Sequence, residues 1–287
     1  MIAVTGASGQ LGRLVITALL QRTNAADIVA LVRNPDKVSD LAAQGVQVRA
    51  FDYNAPDTLA PALSGVDKLL LISASDIGSR LPQHQAVIDA ANASGVNLLA
   101  YTSILRADSS LLALAEEHKA TEAAIQASGL PAVILRNGWY TENYTQSIGG
   151  VLQAGAVAGA AKDGRLHTAA RADYAEAAAV VLTANDDHAG KVYELAGDAG
   201  FTLADYADEI ARQSGKTIAY QAMSGEAFTA MLVSIGLPDA FAGLLADAEV
   251  NAADGWLAHD GNDLSTLIGR PTTPLSDSVT AALAGLA

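Results

Sequence analysis

A glycine-rich turn between an apolar strand and an amphipathic helix constrains this chain more than any other feature. Met1, Ile2, Ala3, Val4 and Thr5 run straight into Gly6, Ala7, Ser8, Gly9, Gln10, Leu11 and Gly12, and the next apolar residues, Leu14, Val15, Ala18 and Leu19, fall at helical spacing. The order is strand, tight turn, helix. Gly6 suits the sharp turn, Gly9 lets the backbone approach a pyrophosphate with no Cβ in the way, and Gly12 lets the helix pack close to the strand. Free N–H groups and the positive end of the helix dipole then face the phosphates. Ser8 serves as a phosphate contact or as a helix cap, and Arg13 is placed to assist at the start of the helix. A glycine triplet alone says little; the strand before it and the helix after it make it a dinucleotide fingerprint.

The end of the second strand indicates which dinucleotide. An NAD-selective site usually places an acid there, against the ribose 2′-hydroxyl, but this chain follows Ile28, Val29, Ala30, Leu31 and Val32 with Arg33. A guanidinium matches a 2′-phosphate through charge and a planar fork of donors, so NADP(H) is the expected cofactor. The competing reading is that Arg33 opens a solvated loop, since Asn34, Pro35 and Asp36 suit a turn and a helix start.

Farther along, apolar strand-like runs at 46–51, 68–73, 97–103 and 132–136 alternate with probable helical stretches at 57–63, 83–94 and 112–128. Six strands alternating with helices predict an α/β chain with a doubly wound, Rossmann-type parallel sheet. After residue 137 the rhythm loosens, with short strands expected near 155–161, 191–195 and 217–221, a helix over 172–183, and mainly helices from 203 onward. The expected organisation is an NADP-binding domain over 1–150, its later elements including 166–196, and a smaller, mainly helical substrate-binding region over 151–287, interleaved with the sheet and folded over its carboxyl edge.

Composition narrows the function. The 287 residues are 51% hydrophobic, enough for a large core. A net charge of −14 argues against nucleic acid and anionic membranes as partners. The absence of cysteine excludes disulfides, thiolate chemistry and cysteine-ligated metals, and no histidine among His84, His118, His167, His188 and His259 has metal-ligand spacing, so no metal is expected. No apolar stretch is long enough to cross a bilayer and no charged leader precedes the first strand, so a cytoplasmic location is expected.

Open α/β sheets bind ligands beyond the carboxyl ends of their strands, which selects the residues to inspect. Asp52 follows the third strand and either accepts from an adenine amino group or starts a turn with Asn54 and Pro56. Ser73, Ala74 and Ser75 follow the fourth; their small side chains permit close approach to ribose and nicotinamide, or form a plain loop. Thr102 and Ser103 close the fifth strand, and Asn137, Gly138, Trp139 and Tyr140 the sixth. Trp139, Tyr140 and Tyr144 make an aromatic substrate platform or a piece of core.

Segments 4–12, 30–35, 68–73, 135–144, 191–197 and 267–272 together resemble the atypical short-chain dehydrogenase/reductases of the NmrA-like group. Within it the chain is most similar to the flavin-free NAD(P)H:quinone oxidoreductase 2 branch, with triphenylmethane-dye reductases as near relatives. Asn137-Gly138-Trp139-Tyr140 and Leu267-Ile268-Gly269-Arg270-Pro271 carry the resemblance more specifically than the glycine loop does. It implies that the glycine loop, Arg33, the 73–75 segment and Asn137, Gly138, Trp139, Tyr140, Thr141 and Glu142 contact NADP(H), while Trp139, Tyr140 and Asn143 shape the substrate pocket. Where the group often carries a helical lysine, this chain aligns His118; Lys119, roughly 100° around a helix, faces elsewhere.

Conventional short-chain dehydrogenases pair a tyrosine with a lysine four residues on, the lysine lowering the phenol pKa for proton exchange. None of the eight tyrosines here has that lysine. The expected acceptor is therefore a small aromatic or quinone-like molecule that needs little help from an enzymic acid, because hydride addition to a quinone gives a delocalised anion that water protonates. Tyr140, His118 and Asn143 are the candidate catalytic residues. For His118 the choice lies between a donor or orienting group and a partly exposed helix residue bonded to Glu122. Two rival functions remain: a dinucleotide-binding redox sensor without catalysis, and a reductase of dyes, enones or imines. A homodimer is compatible with either.

Overall fold

A computed structural model describes residues 1–76 and 78–286. The strands are β1 (Ile2–Val4), β2 (Ile28–Val32), β3 (Gln47–Ala50), β4 (Lys68–Leu71), β5 (Leu98–Ile104), β6 (Ala132–Asn137), β7 (Ala156–Gly159), β8 (Val192–Leu195) and β9 (Ala219–Ala222). Seven of them form one parallel sheet in the order β3-β2-β1-β4-β5-β6-β8. The direction of the strand order reverses at β1, and a ligand crevice is expected outside the carboxyl ends there.

The chain divides into two compact units. The first comprises Met1–Ala107, Glu117–Asn137 and Arg171–Glu194, and the second Asp108–Glu116, Gly138–Ala170 and Leu195–Ala287. In the first, period-2 alternation puts Ala3, Val29, Leu31, Leu69, Leu71, Leu99 and Tyr101 on one face of the sheet, packed with Leu59, Leu63, Val87, Ile88, Ala91 and Ile125. The other face is as dry: Val4, Ala30, Leu70 and Ala100 are fully buried. Strands buried on both faces have no polar side to alternate, which is why they read as continuous apolar runs. Helix Gln10–Leu20 packs against helix Arg171–Thr183, and Arg22 reaches Glu176 at 3.3 Å.

The second unit is mainly helical around a two-stranded parallel sheet, β7 with β9, in the register Val157 opposite Tyr220. Helix Leu203–Ser214 starts with a capping box between Thr202 and Asp205, and helix Gly225–Ser234 with Ser224 accepting from the Ala227 N–H. Phe228, Leu232, Ala242, Ala246 and Ala160 form one of its cores. Tyr144, Phe201 and Tyr206 form an aromatic cluster with centroids 6.1–6.4 Å apart.

Several elements differ from expectation. The main sheet has seven strands rather than six, because the short run near 191–195 becomes β8 beside β6. Its Val192 is exposed, so the run lacks the two-sided apolar character of the inner strands. The helix expected over 57–63 is a 3-10 turn, Pro56–Thr58, followed by one α turn, Leu59–Ala62. Helix Arg80–Ala93 begins three residues earlier than expected, since Pro82 in the first turn lacks only an N–H that no helical carbonyl would accept. Among the described residues no helix is long and apolar enough to cross a membrane.

Candidate functional site

The turn after β1 is built by its glycines. Gly6 has φ +58°, a left-handed conformation that a side chain disfavours. Gly9 donates its N–H to the Gly6 carbonyl at 2.9 Å and is the N-cap of helix Gln10–Leu20, which has no side-chain cap. Ser8 therefore does not cap it, and the first-turn N–H groups are left for a ligand. A Cβ on Gly12 would lie 2.4 Å from the Gly6 carbonyl oxygen and 2.8 Å from the Ala7 Cα, so only glycine lets the helix sit this close to the turn.

Beside this turn, within the first unit, is a cleft of about 260 Å³. Its walls are Gly6, Ser8 and Gly9; Arg33 with Leu31 and Val32; Asp52 with Phe51, Tyr53 and Asn54; the loop of Ile72, Ser73, Ala74, Ser75 and Asp76; and Gln83. Thus Gly6, Ser8, Gly9, Arg33, Asp52, Ser73, Ala74 and Ser75, all picked from the sequence, line one cavity.

Arg33 is exposed on the rim and hydrogen-bonded to no other described residue. Asp52 starts the expected turn and also stands on the cleft wall. It lines the cleft, and its Oδ1 accepts the Asn54 N–H at 3.0 Å in an Asx turn, while its own N–H donates to Thr58 Oγ1 at 3.0 Å. Sequence reading missed Tyr53, Asn54, Asp76 and Gln83. Gln83 lies on helix Arg80–Ala93 and donates from Nε2 to Asp76 at 2.9 Å and to Asn54 at 3.2 Å. Tyr53 is legible only in hindsight, as the aromatic one residue beyond the strand-end acid.

The other expected cofactor contacts lie elsewhere. Ala7, Leu11 and Gly12 are buried, whereas Gln10 is exposed outside the cleft lining. Arg13 reaches across to Asp40 at 2.8 Å and to the Lys37 carbonyl, and the same pairing holds the Asp40 carboxyl below its ordinary range. Thr102 is buried, and its Oγ1 accepts the Ser73 N–H at 2.9 Å, so it shapes the loop rather than lining the cavity. Asn137 is buried at the end of β6, its Oδ1 without a hydrogen-bond partner among the described residues.

In the second unit, Trp139, Tyr140 and Thr141 are pinned along residues 168–169, while Gly138 donates its N–H to the Leu195 carbonyl at 2.7 Å and Glu142 opens a helical turn. The Thr141 N–H donates to the Ala169 carbonyl at 2.9 Å, the Ala169 N–H to the Trp139 carbonyl at 3.3 Å, and the Thr141 and Thr168 hydroxyls meet at 2.7 Å. Trp139, Tyr140 and Asn143 are half-buried, presenting part of their surface to solvent. Tyr144 is not part of a platform with them: it is buried, edge-on to Phe201 and Tyr206. Tyr140 precedes the single-turn helix Glu142–Thr145 and bridges to Ala169, whereas Tyr144 lies within that helix and faces inward.

His118 corrects the picture of a partly exposed residue bonded to Glu122. It is buried, and Nδ1 lies 2.8 Å from the Tyr101 hydroxyl. Burial, with the charge of Arg80, pulls its imidazole down to about 3, so it is neutral at physiological pH. Glu122 instead grips Arg136 bidentately at 2.7 and 3.0 Å, and Arg136 also donates to Glu194 at 2.7 Å. Sequence reading also missed Glu249. Burial lifts its carboxyl to about 7, against hydrogen bonds from the Ala160 and Ala161 N–H groups that lower it. A lone glutamate in an alanine-rich helix gives no sign of this.

Known proteins bear on the same features. Residues 6–185 match the NAD(P)H-binding family model. The chain belongs to that family. It is 53% identical over 279 residues to quinone oxidoreductase 2 of Escherichia coli strain K12, covering 97% of each chain. In the solved structures, this NAD(P)H-binding chain superposes on the NADPH-dependent quinone oxidoreductase of Escherichia coli complexed with NADPH with a TM-score of 0.96 at 52% identity, covering 99% of this chain and 100% of that one. The triphenylmethane reductase of Citrobacter sp. complexed with NADP(H) follows with a TM-score of 0.94 at 39% identity, covering 98% and 100%.

Proposed function

We propose that this chain is an NADPH-dependent, flavin-free oxidoreductase that passes hydride to a quinone-type acceptor. The observation that carries the reading is Arg33, an unengaged guanidinium on the rim of a cleft whose far wall is an uncapped helix N-terminus. These residues fit NADP(H). Gly6 and Gly9 leave room for a pyrophosphate, the helix N-terminus and its dipole take its charge, and Arg33 takes the 2′-phosphate with a planar fork of donors. Asp52 Oδ2, bonded to no described residue, is an acceptor for the adenine amino group. The two liganded relatives, with NADPH and NADP(H), support the same assignment.

NADPH, when bound, supplies the hydride. The protein's part is to bind, orient and exclude water. The half-buried rings of Trp139 and Tyr140 offer flat apolar surface to an aromatic acceptor, and the Asn143 carboxamide fixes its orientation. A quinone takes two electrons with the hydride, and one proton from solvent completes the hydroquinone. No enzymic acid is required, and the buried groups are unsuited to the part: burial pushes the phenols of Tyr53, Tyr101, Tyr144 and Tyr206 up, and holds His84 and His118 down to about 3. The place of work is the cytoplasm, and the net charge of −14 argues against a nucleic acid partner.

The test is a steady-state NADPH-oxidation screen over quinones, cationic dyes and aldehydes, with no flavin or metal added. Quinones are expected to turn over and aldehydes not. A protein that only senses the dinucleotide would bind NADPH and oxidise it with none of these acceptors.

A further inference from the structure

The loop of Ile72, Ser73 and Ala74 lines the cleft, and nearly all of its backbone polar groups are held by side chains. The Ile72 N–H donates to Thr5 Oγ1 at 2.9 Å, the Ser73 N–H to Thr102 Oγ1 at 2.9 Å, and the Ala74 N–H to His84 Nε2 at 2.9 Å. Arg80 Nε donates to the Ala74 carbonyl at 2.7 Å, and the Tyr53 hydroxyl lies 3.1 Å from the Ile72 carbonyl. Nothing among the described residues donates to the Ser73 carbonyl. Five side chains from separate parts of the first unit thus fix three residues and leave one acceptor over.

His84 is the most demanding of the five, because its chemistry must be right as well as its position. A backbone N–H only donates, so Nε2 must carry a lone pair. The proton of the neutral ring is then on Nδ1, which lies 3.0 Å from Thr121 Oγ1, and the Thr121 hydroxyl in turn donates to the Glu117 carbonyl at 2.9 Å. Donor and acceptor directions agree along the whole chain. The ring is fully buried, edge-on to Tyr101 at 5.5 Å and to Tyr53 at 6.3 Å between centroids. This burial, with the nearby charge of Arg80, holds the imidazole down to about 3 and keeps the Nε2 lone pair available.

We propose that His84 is a positioning residue for the dinucleotide cleft: as the Nδ1–H tautomer it holds the Ala74 amide, fixes the 72–74 backbone and leaves the Ser73 carbonyl as the acceptor offered to the cofactor. This rests on the reading that the cleft takes NADP(H). His84 touches no ligand itself; it acts through Ala74. A leucine in its place leaves the Ala74 N–H without its acceptor, so the loop loses its fixed geometry.

The experiment compares His84→Leu, His84→Gln and the unmodified chain in NADPH titration and steady-state kinetics, with nitrogen NMR of the imidazole in the unmodified protein. His84→Leu is expected to raise the Kd and KM for NADPH about tenfold while the KM for the quinone stays put. His84→Gln, whose carboxamide oxygen reaches the place of Nε2, is expected to stay within about threefold of the unmodified chain. The NMR signature is an unprotonated Nε2 and a protonated Nδ1 throughout the neutral range. Unchanged NADPH affinity in His84→Leu, a glutamine variant as weak as the leucine one, or a ring protonated on Nε2 would each overturn the proposal. The NMR result decides the matter even where a variant fails to fold. Should the unmodified chain bind no NADPH, the reading of the cleft itself falls and the role of His84 with it.

Discussion

On the proposed reading, cofactor choice turns on Arg33, since the backbone of the glycine loop serves NADH and NADPH alike. One charge-assisted contact contributes about 1.5–3 kcal/mol, so Arg33→Ala is expected to weaken NADPH binding by about ten- to a hundredfold and NADH binding hardly at all, as fluorescence titration with each would show. Equal losses for both cofactors would contradict the assignment. Tyr140 is argued to contribute ring surface, not a proton. Tyr140→Phe should keep most of the quinone turnover and Tyr140→Ala should raise the quinone KM. A phenylalanine variant inert toward quinone but unchanged in NADPH affinity would make the phenol the acid. The buried, neutral His118 is expected to matter less still: His118→Ala should cost less than the roughly hundredfold loss that removal of an essential general acid brings.

Between elements, helix Gln10–Leu20 approaches the turn after β1 closely, as the bare Cα of Gly12 permits. Gly12→Ala forces a methyl against the Gly6 and Ala7 backbone, which cannot swing aside; a loss of about 1–3 kcal/mol in denaturant unfolding is expected, together with weakened NADPH binding. In the second unit, Glu249 on helix Asp239–Ala253 ties that helix to the segment after β7, with Oε2 accepting the Ala160 N–H at 2.5 Å. A Cβ on Gly159 would stand 2.6 Å from that same oxygen, so the glycine makes the contact possible. Because the folded-state pKa of Glu249 is raised to about 7, the folded chain holds a proton that the unfolded chain releases. The stability from this protonation is complete below the ordinary carboxyl range and is lost as the pH rises to about 7. It amounts to about 3 kcal/mol. Glu249→Gln should flatten the fall in unfolding free energy between mildly acidic and neutral pH; an unaltered slope would mean that the carboxyl titrates normally.

At the scale of the molecule, what the sequence discloses follows how local the physics is. β2 is legible to the residue because two-sided burial leaves an uninterrupted apolar run, and the glycine turn because each glycine answers a separate steric demand within twelve residues. β8 is blurred by its exposed edge, and Tyr144 differs from Tyr140 because it lies within a helical turn that packs inward, while Tyr140 stands before that turn in a bridge to Ala169. The roles of His84 and Glu249 are invisible beforehand, and Thr102 is legible as a strand end but not as the holder of the Ser73 amide: the partners Ala74, Ala160 and Ser73 are set by tertiary packing that no spacing encodes. Hydride transfer to a quinone without a second cofactor is the activity on which the proposed function stands. The most direct measurement is anaerobic mixing of the purified, flavin-stripped protein and NADPH with a simple quinone, following nicotinamide absorbance and hydroquinone formation together. One hydroquinone per NADPH consumed is expected over many turnovers with nothing else added. Absence of turnover, or turnover that begins only when FAD is supplied, would contradict it.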